Sequence, residues 1–301
     1  MHRGINVVIR RTSLAVSDAI RPAINRTITL KLLLALTVLT SNAAAQWLGY
    51  HAPGTPRLRD GSPNLAAPAP RTSDGKPDLS GVWHVEPTSL AEMKQLFGAD
   101  VATLDVPGME ADTISKYAVN ILLDFKSDDV PMRPETAALL RSRRGYLGGC
   151  TPIGIPLTYL VSEPDEIVQA PRQIVMMFES DGSHRQIHTD GRPLPTDPEP
   201  TWLGYSVGKW EGDTLVVETT GFNDRTALDL MGHPHGEDLR VVERYHRRDF
   251  GHMDVEVTLD DPKMYTRPFS IKFTQRLLAD SDVLENICSE NEKDLSHIGR
   301  N

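Results

Sequence analysis

Cysteine is almost missing from this chain: Cys150 and Cys288 are the two in 301 residues. They lie far apart, so covalent haem attachment through a close cysteine pair is excluded. Recognised catalytic signatures are missing as well. No G-x-S-x-G elbow, phosphate loop, dinucleotide fingerprint or H-E-x-x-H occurs, which removes the readiest routes to a serine hydrolase, a nucleotide enzyme or a zinc protease. Long apolar runs are also lacking. The apolar core from Leu30 to Leu39 is too short to span a bilayer. No helical crossovers interrupt the later strands, and this argues against a doubly wound α/β fold.

That short apolar core has a meaning of its own. It follows a basic leader and precedes Ala43 and Ala45, small residues at the spacing of a cleavage site, so residues 1–45 are expected to be a signal peptide with Gln46 opening the mature chain. Arg10 and Arg11 admit a twin-arginine route beside ordinary secretion. The expected location is periplasmic or secreted, with no stable membrane insertion after cleavage. The whole chain carries a net charge of −9. Without residues 1–45 it keeps 26 basic and 40 acidic residues, a net of −14. Such a surface repels phosphate backbones and anionic lipid, so nucleic acid is not an expected partner. A small molecule is; the oligomeric state is not legible. In an oxidising compartment Cys150 and Cys288 are expected to form a disulfide.

Residues 46–78 are rich in Pro, Gly and polar side chains without apolar period, and read as a flexible linker. Ordered structure is expected over residues 79–301 as a single β-barrel domain. A first strand is expected at "DLSGVWHV" and a helical insertion at about 89–143, with Ser89 capping the first helix, "ADTISKYAVNILLDF" forming the second and a third starting at Pro134. From Glu166 the apolar period falls to two with frequent turns. "EIVQA", "RQIVMMFES", "SHRQIHTD", "WLGYSVGKW", "TLVVETT", "DLRVVERYHRR", "HMDVEVTLD", "PFSIKFTQRLL" and "VLENICS" are the expected strands. The fold class is therefore mainly β with a helical insertion, an antiparallel meander forming a lipocalin-like β-barrel.

Two resemblances accompany this reading. "PTWLGYSVGKWEGDTLVVETTGFND", with "RTSDGKPDLSGVWHV" and "ERYHRRDFGHMDVEVTLDDPKMYTRPFSIKF", resembles an uncharacterised family of exported bacterial proteins over about residue 70 to the end. Gly81-Val82-Trp83 at the head of a meander is similar to the Gly-x-Trp of lipocalins. That likeness implies a buried tryptophan covered by a late arginine, for which Arg276 is the candidate, although the helical insertion departs from the lipocalin pattern.

Alternation predicts the inward faces. Leu239, Val241, Glu243, Tyr245 and Arg247 share one face, which would carry Glu243 and Tyr245 inside; Gln275 and Thr219 are polar members of other inward faces. In "GFNDRTALDLMGHPHGED", His233, His235 and Glu237 are two apart, so an extended backbone would put all three on the face that also carries Glu243, where two imidazoles and a carboxylate could bind zinc or iron; however, Pro234 and Gly236 interleave them. No metal is assigned there, and the alternatives of a polar cavity mouth and a solvated crossing stay open. Two functional classes survive. The first is an exported small-molecule-binding protein holding an apolar or aromatic ligand in a barrel cavity, with His233, Gln275, Trp202, Tyr205 and Asn223 as ligand contacts. The alternative is a cofactor-free lyase, isomerase or hydrolase using Glu243, Tyr245 or His235 as acid or base. No cofactor is expected in either.

Overall fold

A computed structural model describes residues 50–103, 111, 113–142 and 151–286. The expected signal peptide and both cysteines lie outside the described residues. Nine strands close into one barrel in sequence order: β1 (Gly81–Val85), β2 (Asp165–Ala170), β3 (Gln173–Phe178), β4 (His184–His188), β5 (Tyr205–Glu211), β6 (Thr214–Thr220), β7 (Arg240–Arg247), β8 (His252–Asp260) and β9 (Phe269–Leu277), with β9 returning to β1. The fold is mainly β and lipocalin-like. Every neighbouring pair is antiparallel except β4 and β5, which run parallel through only two residue pairs, Ile187↔Ser206 and His188↔Val207. Residues 283–286 carry no strand, so the described part of "VLENICS" does not extend the sheet.

The core follows from the alternation. Met253, Val255, Val257 and Leu259 on β8 are buried, as are Phe269, Ile271 and Leu277 on β9, while Glu256, Lys272 and Arg276 face outward. Among the described residues three α-helices precede the meander's main run: α1 (Leu90–Phe97), α2 (Lys116–Val119) and α3 (Pro134–Ser142). Ser89 caps α1 by accepting from the Glu92 N–H at 3.3 Å. The second helix is shorter than its apolar period suggests. Asn120 turns extended, and the N–H of Ile121 leaves the helix ladder for the buried carboxylate of Asp229 at 2.7 Å. Burial of Ile114, Ala118, Ile121 and Leu122 against the barrel outweighs helix continuation there.

Residues 51–78, whose composition reads as a flexible linker, are tied along the barrel. Arg57 makes two bonds to the Asp280 carboxylate at 2.6 and 2.7 Å, the N–H groups of Phe250 and Gly251 donate to the carbonyls of Ala67 and Leu65, and Arg71 pairs with Asp213. At the same end Trp83 is fully buried and its indole N–H donates to the Leu79 carbonyl at 2.9 Å. The expected cover, Arg276, is exposed on the outer face of β9. Arg247 takes that place, its guanidinium 4.9 Å from the indole centre. The reason lies in the pleat: Arg247 shares the inward face of Glu243 and Tyr245, whereas Arg276 alternates with Gln275 and points out. Burial lowers Arg247 to about 10, and carbonyls of Asp78, Ser80, Asp249 and Phe250 accept its N–H groups. Gly81 permits the close strand entry: at φ 137° a Cβ would stand 2.5 Å from Leu277 Cδ1.

Candidate functional site

Polar side chains meet at two places inside the barrel and at one on its wall. The central group is built around Glu243 on β7, which is fully buried. Its carboxylate accepts two bonds from Arg185 on β4, at 2.9 and 2.5 Å, and one from the Tyr245 hydroxyl at 2.7 Å. The remaining Arg185 N–H groups go to Ser206 Oγ at 2.9 Å, Tyr159 Oη at 2.5 Å and Thr219 Oγ1 at 2.6 Å. All five guanidinium N–H groups are thereby used. Burial works against the charge on Arg185, but Glu243 outweighs it and holds the guanidinium above its usual value. Burial raises both phenols, so Tyr159 and Tyr245 stay neutral. A group so completely satisfied fixes strand register. With three bonds on the carboxylate and every guanidinium donor spent, it leaves no free Arg185 N–H for a substrate.

The second interior pair is less complete. Gln275 on β9 donates its amide N–H to Asp165 Oδ1 on β2 at 2.8 Å, while Asp165 Oδ2 and Gln275 Oε1 are buried with no partner among the described residues. Burial pushes Asp165 up to about 8. The neutral carboxyl is then favoured at pH 7, and Gln275 Oε1 is a second buried oxygen of the same pair without a partner.

The histidines of the 221–238 crossing do not join either group. His233 Nδ1 lies 2.5 Å from Asp229, a carboxylate that also accepts from the His233 and Ile121 N–H groups. His235 bonds Thr226 Oγ1 at 2.7 Å and the Gly236 carbonyl at 3.1 Å, with its ring against Phe222. Glu237 is exposed, so the shared face expected for His233, His235 and Glu237 does not form. Among the described residues no three His, Cys, Asp or Glu side chains converge as a metal set. Asn223 closes a turn by accepting the Arg225 N–H at 3.1 Å.

The third place is a groove of about 510 Å³ on the wall, where β4 and β5 diverge below their two paired positions. Its existence follows from the connection between these strands. A parallel pair requires a long return, and here residues 189–204 make it without a helix. That stretch is fastened at Asp190, which binds Arg192 at 2.6 Å and is held well below the usual carboxylate range by it, and again at Thr201, whose N–H donates to the Gly221 carbonyl. Gly204 (φ 69°) then lets the chain enter β5, since a Cβ would meet Thr219 Cγ2 at 2.7 Å. Pro152, His184, His188, Trp202 and Tyr205 line the groove, and Arg185 and Ser206 form its floor. The His188 and Tyr205 rings stand 5.3 Å apart, and Arg192 Nη1 donates to the Tyr205 hydroxyl at 3.2 Å. Burial and the nearby Arg192 lower His188, which keeps its imidazole neutral near pH 7.

The structure thus brings together Glu243 with Tyr245, and Trp202 with Tyr205, and it separates both pairs from His233 and His235. Sequence reasoning missed Arg185 and Asp165. Arg185 alternates with Ile187 toward the interior, and that one aliphatic residue is the whole of the signal for it. No protein-family model, curated protein or solved structure matches the chain.

Proposed function

We propose that this is an exported small-molecule-binding protein and that its ligand seat is the groove between β4 and β5, with an aromatic compound held against Trp202 and Tyr205. The observation carrying this reading is the short parallel pairing of β4 with β5. Beside that pair two aromatic rings and two histidines line a groove of about 510 Å³, inside the roughly 300–1,000 Å³ of small-molecule sites. The barrel interior around Glu243 serves less well as a seat, because Arg185, Tyr159, Tyr245, Thr219 and Ser206 fill it with their own bonds. For the same reason the acid–base alternative centred on Glu243 is weak.

Export rests on the basic leader and the Ala43–Ala45 cleavage pattern, and on the resemblance of residues 200–224 to an exported bacterial family. No helix among the described residues is long and apolar enough to cross a membrane. The Cys150–Cys288 disulfide is part of the same proposal. It is supported by the nearest described neighbours: the Ile153 N–H donates to Asp181, and Asn286 donates to the adjacent Ser180 carbonyl. An intact mass without the two-proton deficit on oxidised protein would refute the disulfide.

Small molecules extracted from natively purified protein and identified by mass spectrometry test the binding reading. The expected result is an aromatic compound near one per chain in the wild type and its loss from folded Trp202→Ala. Equal retention by Trp202→Ala would place the ligand elsewhere.

A further inference from the structure

We propose that the groove binds an aromatic acid, a ring carrying a carboxylate that faces Arg225; this rests on the reading of the groove as the ligand seat. The first observation is electrostatic. The chain holds 41 acidic against 32 basic residues, yet no Asp or Glu lines the groove among the described residues. On a surface that otherwise repels anions, this is a place where a carboxylate meets little opposition.

The second observation is Arg225. Its guanidinium lies 5.8 Å from the centre of the Trp202 ring, the apolar wall of the groove. Surface arginines of this protein are mostly spent on carboxylates: Arg57 on Asp280, Arg71 on Asp213, Arg240 on Glu218, Arg248 on Asp254. Arg225 is exposed and makes no side-chain hydrogen bond or ion pair with any described residue, its neighbour Asp224 included. Its backbone is nonetheless fixed, because the Asn223 side chain accepts the Arg225 N–H and the Asn223 N–H donates to the Thr201 carbonyl at 2.7 Å. Arg225 is not part of the groove lining itself, but it stands over the Trp202 ring that is, with its fork of donors unspent and able to receive a carboxylate in two parallel bonds.

The third observation concerns the opposite wall. Arg192, near the Tyr205 hydroxyl, is neutralised by Asp190, and His188 is neutral near pH 7. That wall offers ring faces and uncharged donors or acceptors. The charge recognition therefore falls on Arg225, and ring recognition is shared by Trp202, Tyr205 and His188.

Calorimetric titration of the mature protein with 4-hydroxybenzoate and with neutral 4-hydroxybenzyl alcohol tests this. The wild type is expected to bind the acid about two- to fivefold more tightly than the alcohol at low salt, the preference of one exposed ion pair. Arg225→Gln should erase the preference and leave alcohol binding unchanged, and Trp202→Ala should weaken both. Trp202 lines the groove and Arg225 is exposed beside it, and an unchanged thermal midpoint shows that each variant folds. Equal affinity of the wild type for the two compounds would overturn the acid proposal while leaving the groove as an aromatic seat. Binding of neither would overturn both.

Discussion

Replacing Asp165 with Asn should leave the protein nearly unchanged in acid and make it more stable in mild base. Asp165 is buried, rises from an ordinary 3.8 to about 8, and has one oxygen without a partner beside an equally unpartnered oxygen of Gln275. The titratable side chains sharing the interior are Tyr159, Tyr245, the Arg185–Glu243 pair and Arg247; the residues directly across from Asp165 are Trp83 and Phe178. Desolvation is thus opposed by little beyond the Gln275 amide. The folded state keeps this proton longer than the unfolded chain does. The group's contribution is therefore full below about pH 4 and is lost as the pH rises toward about 8, at about 1.4 kcal/mol per pH unit. Over pH 5 to 8 the loss is roughly 4 kcal/mol. An Asn side chain reproduces the shape and donor of the neutral acid, with its amide N–H toward Gln275 Oε1, and it does not titrate. Urea unfolding of both proteins at pH 5, 6, 7 and 8 isolates the effect, because the other carboxylates cancel in the difference. The Asn variant should match the wild type within about 1 kcal/mol at pH 5 and exceed it by several at pH 8. A difference that stays flat across this range would refute a neutral Asp165.

Two further outcomes follow from the interior. Glu243→Gln should cost roughly 3–5 kcal/mol in chemical unfolding, because it strands the buried Arg185 charge, whereas the double replacement Arg185→Met with Glu243→Leu should cost less than the two single changes summed. Trp83→Ala should cost roughly 3–5 kcal/mol, and Arg247→Ala should cost more than Arg276→Ala, which removes only an exposed side chain; equal costs of the two arginine changes would contradict Arg247 as the cover.

How much of this was readable in advance depends on whether the signal is local. Along β7, alternation alone places Glu243, Tyr245 and Arg247 inside, because Val241 and Leu239 mark the buried face within one strand. It cannot name the partner. Arg185 comes from a five-residue strand, His184–His188, in which Ile187 is the sole aliphatic residue, so the inward face has almost no apolar mark. Asp165 opens β2 directly after Pro164 and reads as a turn residue until Trp83 and Phe178 are seen across from it. The groove is the least legible feature. Trp202 and Tyr205 could be singled out, but the opening beside them exists because β5 pairs parallel to β4, and nothing in the Pro-rich run 189–204 specifies that direction. The expected helix through Ile121 failed for a related reason, since Asp229, 108 residues later, captures its N–H.

The most direct test of the account is a backbone-amide NMR titration of the mature protein with 4-hydroxybenzoate. If the ligand seat is the groove between β4 and β5, saturable shifts should concentrate at residues 183–188, 201–206 and 223–225, and amides of β7 to β9 should barely move. Saturable shifts centred on β7 to β9, with the two groove segments unaffected, would contradict it.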